Sequence, residues 1–186
     1  MKKNNQIGST ILKSVSKPGR YAGGEYGQII KDKEKVKARF AFCFPDTYEI
    51  GMSNLGMRIL TGVLNEMENV WCERVFAPWV DMEDKMREAG IPLFGLESME
   101  SIRHFDFLGF TLQYELGYSN IVNMLDLAEI PVLAADRDES YPLVVGGGPC
   151  ACNPEPLCDF IDLFMIGEGE DMILELCDLY LDCKNK

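Results

Sequence analysis

Residues 141–171, YPLVVGGGPCACNPEPLCDFIDLFMIGEGED, decide the fold that we predict for this chain. Two short apolar runs, residues 143–145 and 163–166, are each followed by a glycine-rich break. Runs of this length that end at glycine are typical of buried strands. The breaks are Gly146-Gly147-Gly148-Pro149 and Gly167-Glu168-Gly169-Glu170. A strand and a glycine turn therefore occur twice in succession.

A short helix is predicted between the two strands. It begins at Asn153 or Pro154 and places Leu157, Phe160 and Ile161 on one face. A crossover of this kind joins parallel strands. In an open parallel sheet, ligands bind beyond the carboxyl ends of the strands. Both glycine breaks are therefore expected at the edge where a ligand would bind.

The glycines have two interpretations. Gly146, Gly147 and Gly148 favour a ligand-facing loop, because each glycine adds a backbone entropy cost that a simple turn does not require. Gly167 and Gly169 fit a ligand loop and a plain turn equally well. Neither break is a dinucleotide fingerprint or a phosphate loop, since the G-x-G-x-x-G spacing and a following lysine are missing.

The remaining chain alternates between predicted strands and helices. The other three strands are expected at residues 36–44, 70–77 and 105–112. One helix is expected to begin at Ser53, and a second to begin at Pro78 and stop at Gly90. A third is expected from Ser119 through Glu129, and a last helix covers residues 170–181. This pattern predicts a flavodoxin-like, Rossmann-type three-layer α/β sandwich with a five-stranded parallel sheet in the order 2-1-3-4-5. Residues 40–44, 75, 108–110, 144–145 and 164–166 are predicted to be buried in that sheet.

Length and charge indicate one domain with a basic leader. The 186 residues, 47% of them hydrophobic, suffice for one core. Residues 1–37 carry nine Lys/Arg and three Asp/Glu, a net charge of +6; residues 38–186 carry nine and 27, a net charge of −18. We predict a basic N-terminal extension, residues 1–37, whose first dozen residues are flexible or loosely helical, and a domain over residues 38–183. The acidic body is not expected to hold nucleic acid by charge alone; the basic leader could, although packing on the acidic body or remaining solvated is the preferred interpretation.

Localisation and metal binding are judged from what the chain lacks. No apolar run approaches the roughly 20 residues of a membrane span, and no signal peptide is recognisable, so a cytoplasmic protein is expected. Cys150, Cys152 and Cys158 lack a fourth ligand nearby, so no metal site is predicted. The spacing C-x-x-x-C-x-x-C is absent. This chain alone is therefore expected to hold no radical-generating cluster and to be inactive.

Four loops are predicted to meet at the carboxyl edge of the sheet. They carry carboxylates, amides, hydroxyls and glycines but no histidine or lysine. Such a set suits a large, flat cofactor better than hydrolysis, and helix capping explains Glu49 and Glu115 better than acid–base catalysis. The candidate cofactor-binding residues are Asp46, Tyr48, Glu49, Gly51, Ser53, Gln113, Tyr114, Glu115, Gly146, Gly147, Gly148, Pro149, Cys150, Gly167, Glu168 and Gly169.

Several long segments of the sequence resemble the N-terminal portion of a family of radical SAM proteins. That N-terminal portion is similar to the vitamin B12-binding domain. They are RYAGGEYG (20–27), FPDTYEIGMSNLGMRIL (44–60), ERVFAPWVDME (73–83), IPLFGLES (91–98), FDFLGFTLQYELGYSNIVNMLDLAEIP (105–131) and GGGPCACNPEPLCDFIDLFMIGEGE (146–170). The resemblance implies a cobalamin-binding-type module, inactive alone, that presents cobalamin to a downstream domain holding S-adenosylmethionine and a [4Fe–4S] cluster.

The resemblance also implies how cobalamin would be held. Cys150 stands where many relatives have histidine, the motif D-x-H-x-x-G is absent, and His104 fits no such motif, so cobalamin is expected without histidine ligation. Its nucleotide tail is expected in a groove between the first and fourth strands, beside the three glycines. The alternatives are a cofactor-free scaffold or partner-binding domain of the same fold and, third, a free-standing small-molecule enzyme or nucleotide binder.

Overall fold

The computed structural model describes residues 8–184 and contains one parallel five-stranded sheet. The strands are β1 (Ala38–Phe44), β2 (Val70–Phe76), β3 (Phe107–Thr111), β4 (Leu143–Gly147) and β5 (Leu163–Met165). Their order is β2-β1-β3-β4-β5, and every neighbouring pair is parallel. The predicted flavodoxin-like fold and strand order are confirmed.

Six α-helices accompany the strands in the described part of the chain. They are α1 (Ser9–Ser14), α2 (Tyr48–Ser53), α3 (Leu55–Glu66), α4 (Val80–Ala89), α5 (Tyr118–Leu127) and α6 (Gly169–Lys184). Helices α3 and α6 pack on one face of the sheet, and α4 and α5 pack on the other. Between residues 8 and 184, no helix has the length and apolar character needed to cross a membrane.

The core is divided by the sheet into two apolar clusters. On β1, Phe40 and Phe42 face helices α3 and α6, whereas Ala41 and Cys43 face α4 and α5. Because successive side chains of a strand point to opposite faces, a strand covered on both sides reads as a continuous apolar run. The predicted burial of residues 40–44, 75, 108–110 and 144–145 is confirmed.

The predicted burial of residues 164–166 is wrong. Phe164 and Met165 are only partly buried, and Ile166 is 55% exposed. Phe164 and Met165 belong to β5, which lies at one margin of the sheet and so has a neighbour on one side only, and Ile166 directly follows this strand. An apolar run by itself does not distinguish a margin strand from a central one.

The connection between β4 and β5 also differs from the prediction. In place of one helix it contains two 3₁₀ turns, Pro149–Cys152 and Glu155–Leu157. Proline has no amide hydrogen to donate, so Pro154 and Pro156 interrupt a regular helix.

Strand β4 does not break at the first glycines, as the sequence suggested. Gly146 and Gly147 continue the strand and align with Phe110 and Thr111 of β3. The chain turns only at Gly148, whose φ of 104° is accessible mainly to glycine.

Two predicted helix starts are wrong as well. Ser53 is the last residue of α2, and Asn54 caps α3 by accepting a hydrogen bond from the Met57 amide at 2.8 Å. Ser119 lies inside the first turn of α5, which ends at Leu127. The predicted stop at Gly90 is confirmed, with φ of 61°.

Residues 15–31, which we call the strap, cross the margin of the sheet at β2. Val15 and Tyr21 are buried in the cluster beneath α4 and α5, and the Trp79 amide donates to the Tyr21 hydroxyl at 3.0 Å. At the other end, Lys31 donates to the carbonyls of Met67 and Val70, each at 2.6 Å. Within the predicted flexible arm, residues 9–14 form α1, and residues 1–7 lie outside the described part.

Side chains complete the hydrogen bonds along the outer margin of β2. The amide group of Asn65 both accepts from the Cys72 amide and donates to its carbonyl, each at 3.0 Å. Glu97 accepts from the Arg74 amide at 2.8 Å. A sheet margin whose polar groups are satisfied in this way resists pairing with another strand.

Candidate functional site

A cavity of about 190 Å³, which we call the sheet cavity, lies between the sheet and helices α3 and α6. Phe40 and Phe42 of β1 and Val145 of β4 form its floor, and Leu60 of α3 and Ile173 of α6 form its walls. These side chains are apolar, so the interior favours an apolar or aromatic group.

Two glycines beneath the cavity have opposite roles. At Gly109 a Cβ atom would lie 2.5 Å from the Phe40 ring, so this glycine makes room for an aromatic side chain. At Gly147 a Cβ atom would meet only Met165, at 3.8 Å. Gly147 therefore leaves space that a side chain could fill without a clash.

The mouth of the cavity lies at the carboxyl edge, where β3 and β4 end. Gln113 donates a hydrogen bond to the buried Thr111 hydroxyl at 2.5 Å, and both residues line the opening. Gly148, Gly167 and Gly169 line it too. The predicted convergence of these loops thus places Gln113 and four predicted glycines, Gly147 included, at one cavity.

Two other candidates join neighbouring loops at the rim. The Tyr114 hydroxyl donates to Asp46 Oδ2 at 2.8 Å, and this bond raises the pKa of Tyr114. Asp46 follows β1 and Tyr114 follows β3, which are adjacent strands. Ligands of doubly wound folds bind where the chain direction across the sheet reverses, which here is between these two strands.

Tyr48 and Glu49 are engaged by the strap. Lys17 and Arg20 lie 2.9 and 2.8 Å from the Glu49 carboxylate, and the hydrogen bond from Lys17 is the main reason that the pKa of Glu49 falls to about 2. The Tyr48 hydroxyl donates to Glu25, and burial together with this bond raises the pKa of Tyr48 to about 12. These contacts explain Glu49 without a catalytic role.

Three further candidates have packing roles. A Cβ atom at Gly51 would lie 2.4 Å from the Phe76 ring, and one at Gly146 would lie 2.8 Å from Ile161, on the face opposite the sheet cavity. Ser53 donates to the Glu49 carbonyl at 2.7 Å, inside α2.

The last candidates lie on or near the carboxyl-edge loops without lining the cavity. Pro149 and Cys150 form a 3₁₀ turn, and Cys150 packs against the cluster beneath α4 and α5. Glu115 begins the 3₁₀ turn after β3, and Glu168 is exposed.

The predicted groove between the first and fourth strands does not exist as such, because β3 lies between them. The space that the structure contains runs over β1, β3 and β4 and beneath two helices. Sequence reasoning missed its apolar lining, because Phe40, Leu60 and Ile173 were assigned to the core. The available signal was Gly109, a glycine inside a predicted central strand, which often marks a close approach.

Among residues 8–184, no group of three or more His, Cys, Asp or Glu side chains is arranged to hold a metal ion. His104 belongs to the 3₁₀ turn Ile102–His104, which precedes β3 and so lies at the amino edge, opposite the cavity mouth.

The fold and the cavity define a flavodoxin-like domain with a cavity that opens at its carboxyl edge. The family described as "Radical SAM proteins, N-terminal" matches residues 56–186, and the chain belongs to this family. This confirms the predicted relationship to the N-terminal domain of radical SAM proteins.

One relative illustrates the length of such proteins. The uncharacterized protein MJ0966 of Methanocaldococcus jannaschii is 26% identical over 152 residues, which make up 80% of this chain. The same match spans 28% of the length of that relative.

Proposed function

We propose that this domain is a cobalamin-binding module of a radical SAM protein. In this proposal it catalyses no reaction alone and presents cobalamin to a downstream domain that holds S-adenosylmethionine and a [4Fe–4S] cluster. The observation that carries the proposal is the sheet cavity, an apolar space with a glycine in its floor and its mouth at the carboxyl edge.

The size and lining of the cavity fit the base of the cobalamin nucleotide tail. An apolar cavity of about 150 Å³ binds benzene. The sheet cavity, at about 190 Å³, accommodates a somewhat larger aromatic system such as a benzimidazole. Phe40 and Phe42 offer ring contacts, and the free space above Gly147 lets the base approach the backbone of β4.

The surface around the mouth suits the broad corrin ring. At the carboxyl edge, Ile50, Leu55, Leu116 and Ile166 follow three different strands without lining the cavity itself, and all are more than half exposed, Leu116 at 86%. Apolar side chains around a cavity mouth are typical of a binding surface. When bound, cobalamin supplies a cobalt centre that can carry an alkyl group.

The chain's own residues would hold the cofactor without coordinating the cobalt through histidine. The lone histidine, His104, is at the amino edge. Asp46 and Tyr114 fix the relative position of the two loops at the rim through their hydrogen bond. Their role in this proposal is to orient the corrin edge.

The test is retention of the cofactor by the purified chain. The protein is incubated with hydroxocobalamin, desalted, and measured by absorption spectroscopy; we expect retention of about one corrin per chain. Cobinamide, which has the corrin but lacks the nucleotide tail, is the matched control. It should be retained much less, because the tail fills the sheet cavity. Equal retention of both would contradict the assignment of the cavity.

A cofactor-free scaffold of the same fold is the second candidate. The observation that favours it is the position of Cys150, which packs against the cluster under α4 and α5 and does not line the sheet cavity. If the chain retains neither hydroxocobalamin nor cobinamide, this function replaces the first.

A further inference from the structure

A second cavity, of about 260 Å³, lies on the other side of helix α3 from the sheet cavity. We call it the strap cavity, because residues 25–29 of the strap form one wall. Arg58 and Gly62 of α3 and Arg74 of β2 line it as well. Helix α3 therefore separates two spaces, and the function proposed above uses only one of them.

The floor of the strap cavity has one positive charge between two negative charges. Arg74 donates to Glu97 at 2.6 Å and lies 2.7 Å from Glu25, and both acids also line the cavity. The side chains are largely buried, with 14% of Arg74 and 4% of Glu97 exposed. Burial raises the pKa of Glu97, and the attraction of Arg74 offsets only part of that effect. An ammonium group placed here would balance the second carboxylate.

The part of the lining that α3 contributes carries a positive charge. Arg58 is exposed to the cavity, and it takes part in none of the ion pairs formed within residues 8–184. A guanidinium group binds carboxylate through two parallel hydrogen bonds. The lining of one cavity thus includes both acceptors for an ammonium group and a donor for a carboxylate.

Size narrows the class of ligand. Pockets for drug-sized ligands measure roughly 300–1,000 Å³, and the strap cavity is smaller, at about 260 Å³. Met52 and Ile29 add apolar surface to the lining. We propose that the strap cavity binds a small zwitterion of the α-amino acid class, with its ammonium group toward Glu25 and Glu97 and its carboxylate toward Arg58.

The first experiment uses the intact chain and the standard L-α-amino acids. Each is added singly in a thermal-shift assay, and any that raises the melting temperature is measured by calorimetry. For the tightest amino acid, the N-acetyl derivative and the carboxamide are the matched probes. Each removes one charge, so each should bind at least about tenfold more weakly.

Variants of α3 test the location. A Cβ atom at Gly62 would have no atom within 4 Å, so Gly62→Leu should fill the cavity and favour the helix, abolishing binding in a folded protein. Gly62→Ala is the control and should still bind. Arg58→Gln should weaken binding of the free acid by about tenfold and leave the carboxamide unchanged.

Two outcomes would overturn the proposal. Either no amino acid binds the wild-type chain, or the folded Gly62→Leu variant binds the amino acid as tightly as the wild type does. The result does not depend on cobalamin, because the two cavities lie on opposite sides of α3. Gly62→Leu should retain hydroxocobalamin as the wild type does, so failure of one proposal is distinguishable from failure of the other.

Discussion

Gly109 and Gly147 occupy neighbouring strands beneath the same cavity, but they use the absence of a side chain differently. The space beside Gly109 is taken by the Phe40 ring, whereas the space beside Gly147 is open. A substitution at Gly109 therefore tests packing, because even one methyl group would displace a buried ring. A substitution at Gly147 tests the cavity.

We predict that Gly147→Val abolishes retention of hydroxocobalamin without unfolding the protein. Valine is favoured in strands, and its Cβ would lie 3.8 Å from its nearest neighbours, an ordinary contact distance. Its methyl groups would occupy the space proposed for the nucleotide base. The measurement is corrin absorbance after desalting, together with a circular dichroism melt.

The control for this prediction is Gly19→Val, on the strap. A Cβ atom at Gly19 meets nothing within 4 Å, whereas one at Gly147 would meet only Met165, and Gly19 is not part of the sheet cavity. It should retain the corrin as the wild type does. Folded Gly147→Val protein with undiminished retention would contradict the proposed position of the tail.

The sequence predicted the mouth of the site better than its interior. Gln113 and the glycines at the loops stood out because they follow predicted buried strands, at the edge of a parallel sheet where ligands bind. Phe40, Leu60 and Ile173 did not, because apolar periodicity shows which face of an element is buried but not whether the partners fill the space completely. Tyr48 and Glu49 were included among the candidates because they follow a predicted strand. Their contacts with the strap involve residues more than 20 positions away, which local patterns in the sequence do not reveal.

At the level of elements, the alternation of apolar runs with helical patterns was sufficient to predict the parallel sheet. Each apolar run was separated from the next by a helical pattern or a proline-containing connection, and right-handed parallel crossovers leave few arrangements for such a chain. Prediction failed where local chemistry decides the outcome. Asn54 caps α3 in place of Ser53, and Pro154 and Pro156 replace the expected helix with 3₁₀ turns.

The strap should loosen from the domain in acid. The pKa of Glu49 is about 2 in the folded protein and 4.5 in its unperturbed state, so the ion pairs with Lys17 and Arg20 favour the docked strap above about pH 4.5. Because the folded pKa is the lower one, this contribution declines as the pH falls from 4.5 toward 2. Limited proteolysis with an acid-active protease should show increasing cleavage at the strap over that range.

Glu49→Gln is the matched variant for the acid experiment. It keeps the shape of the side chain but has no titrating charge, so its strap should be cleaved faster near pH 5 and should depend less on pH below it. Fluorescence of Trp79, whose ring lies 5.8 Å from the Arg20 guanidinium, offers a second readout. Identical cleavage of the variant and the wild type at every pH would show that Glu49 does not secure the strap.

For the molecule as a whole, the missing cluster motif leads to one prediction. The 186-residue chain should form no stable [4Fe–4S] cluster after anaerobic reconstitution and should not cleave S-adenosylmethionine, because its cysteines do not show the C-x-x-x-C-x-x-C spacing. The measurements are iron and sulfide content, the visible spectrum, and chromatography of the nucleoside products. A stoichiometric cluster with reductive cleavage would refute this and would point to Cys150, Cys152 and Cys158.

The strap also has a consequence for the order in which the protein assembles. Its residues leave the ribosome before any part of the sheet, yet their partners, Val70, Trp79 and Arg74 among them, are synthesised some 40 to 60 positions later. The basic strap therefore remains unpaired outside the ribosome until its partners in the acidic body have been synthesised. Docking of the strap is then a late event of synthesis, which closes the margin of β2 once that strand is in place.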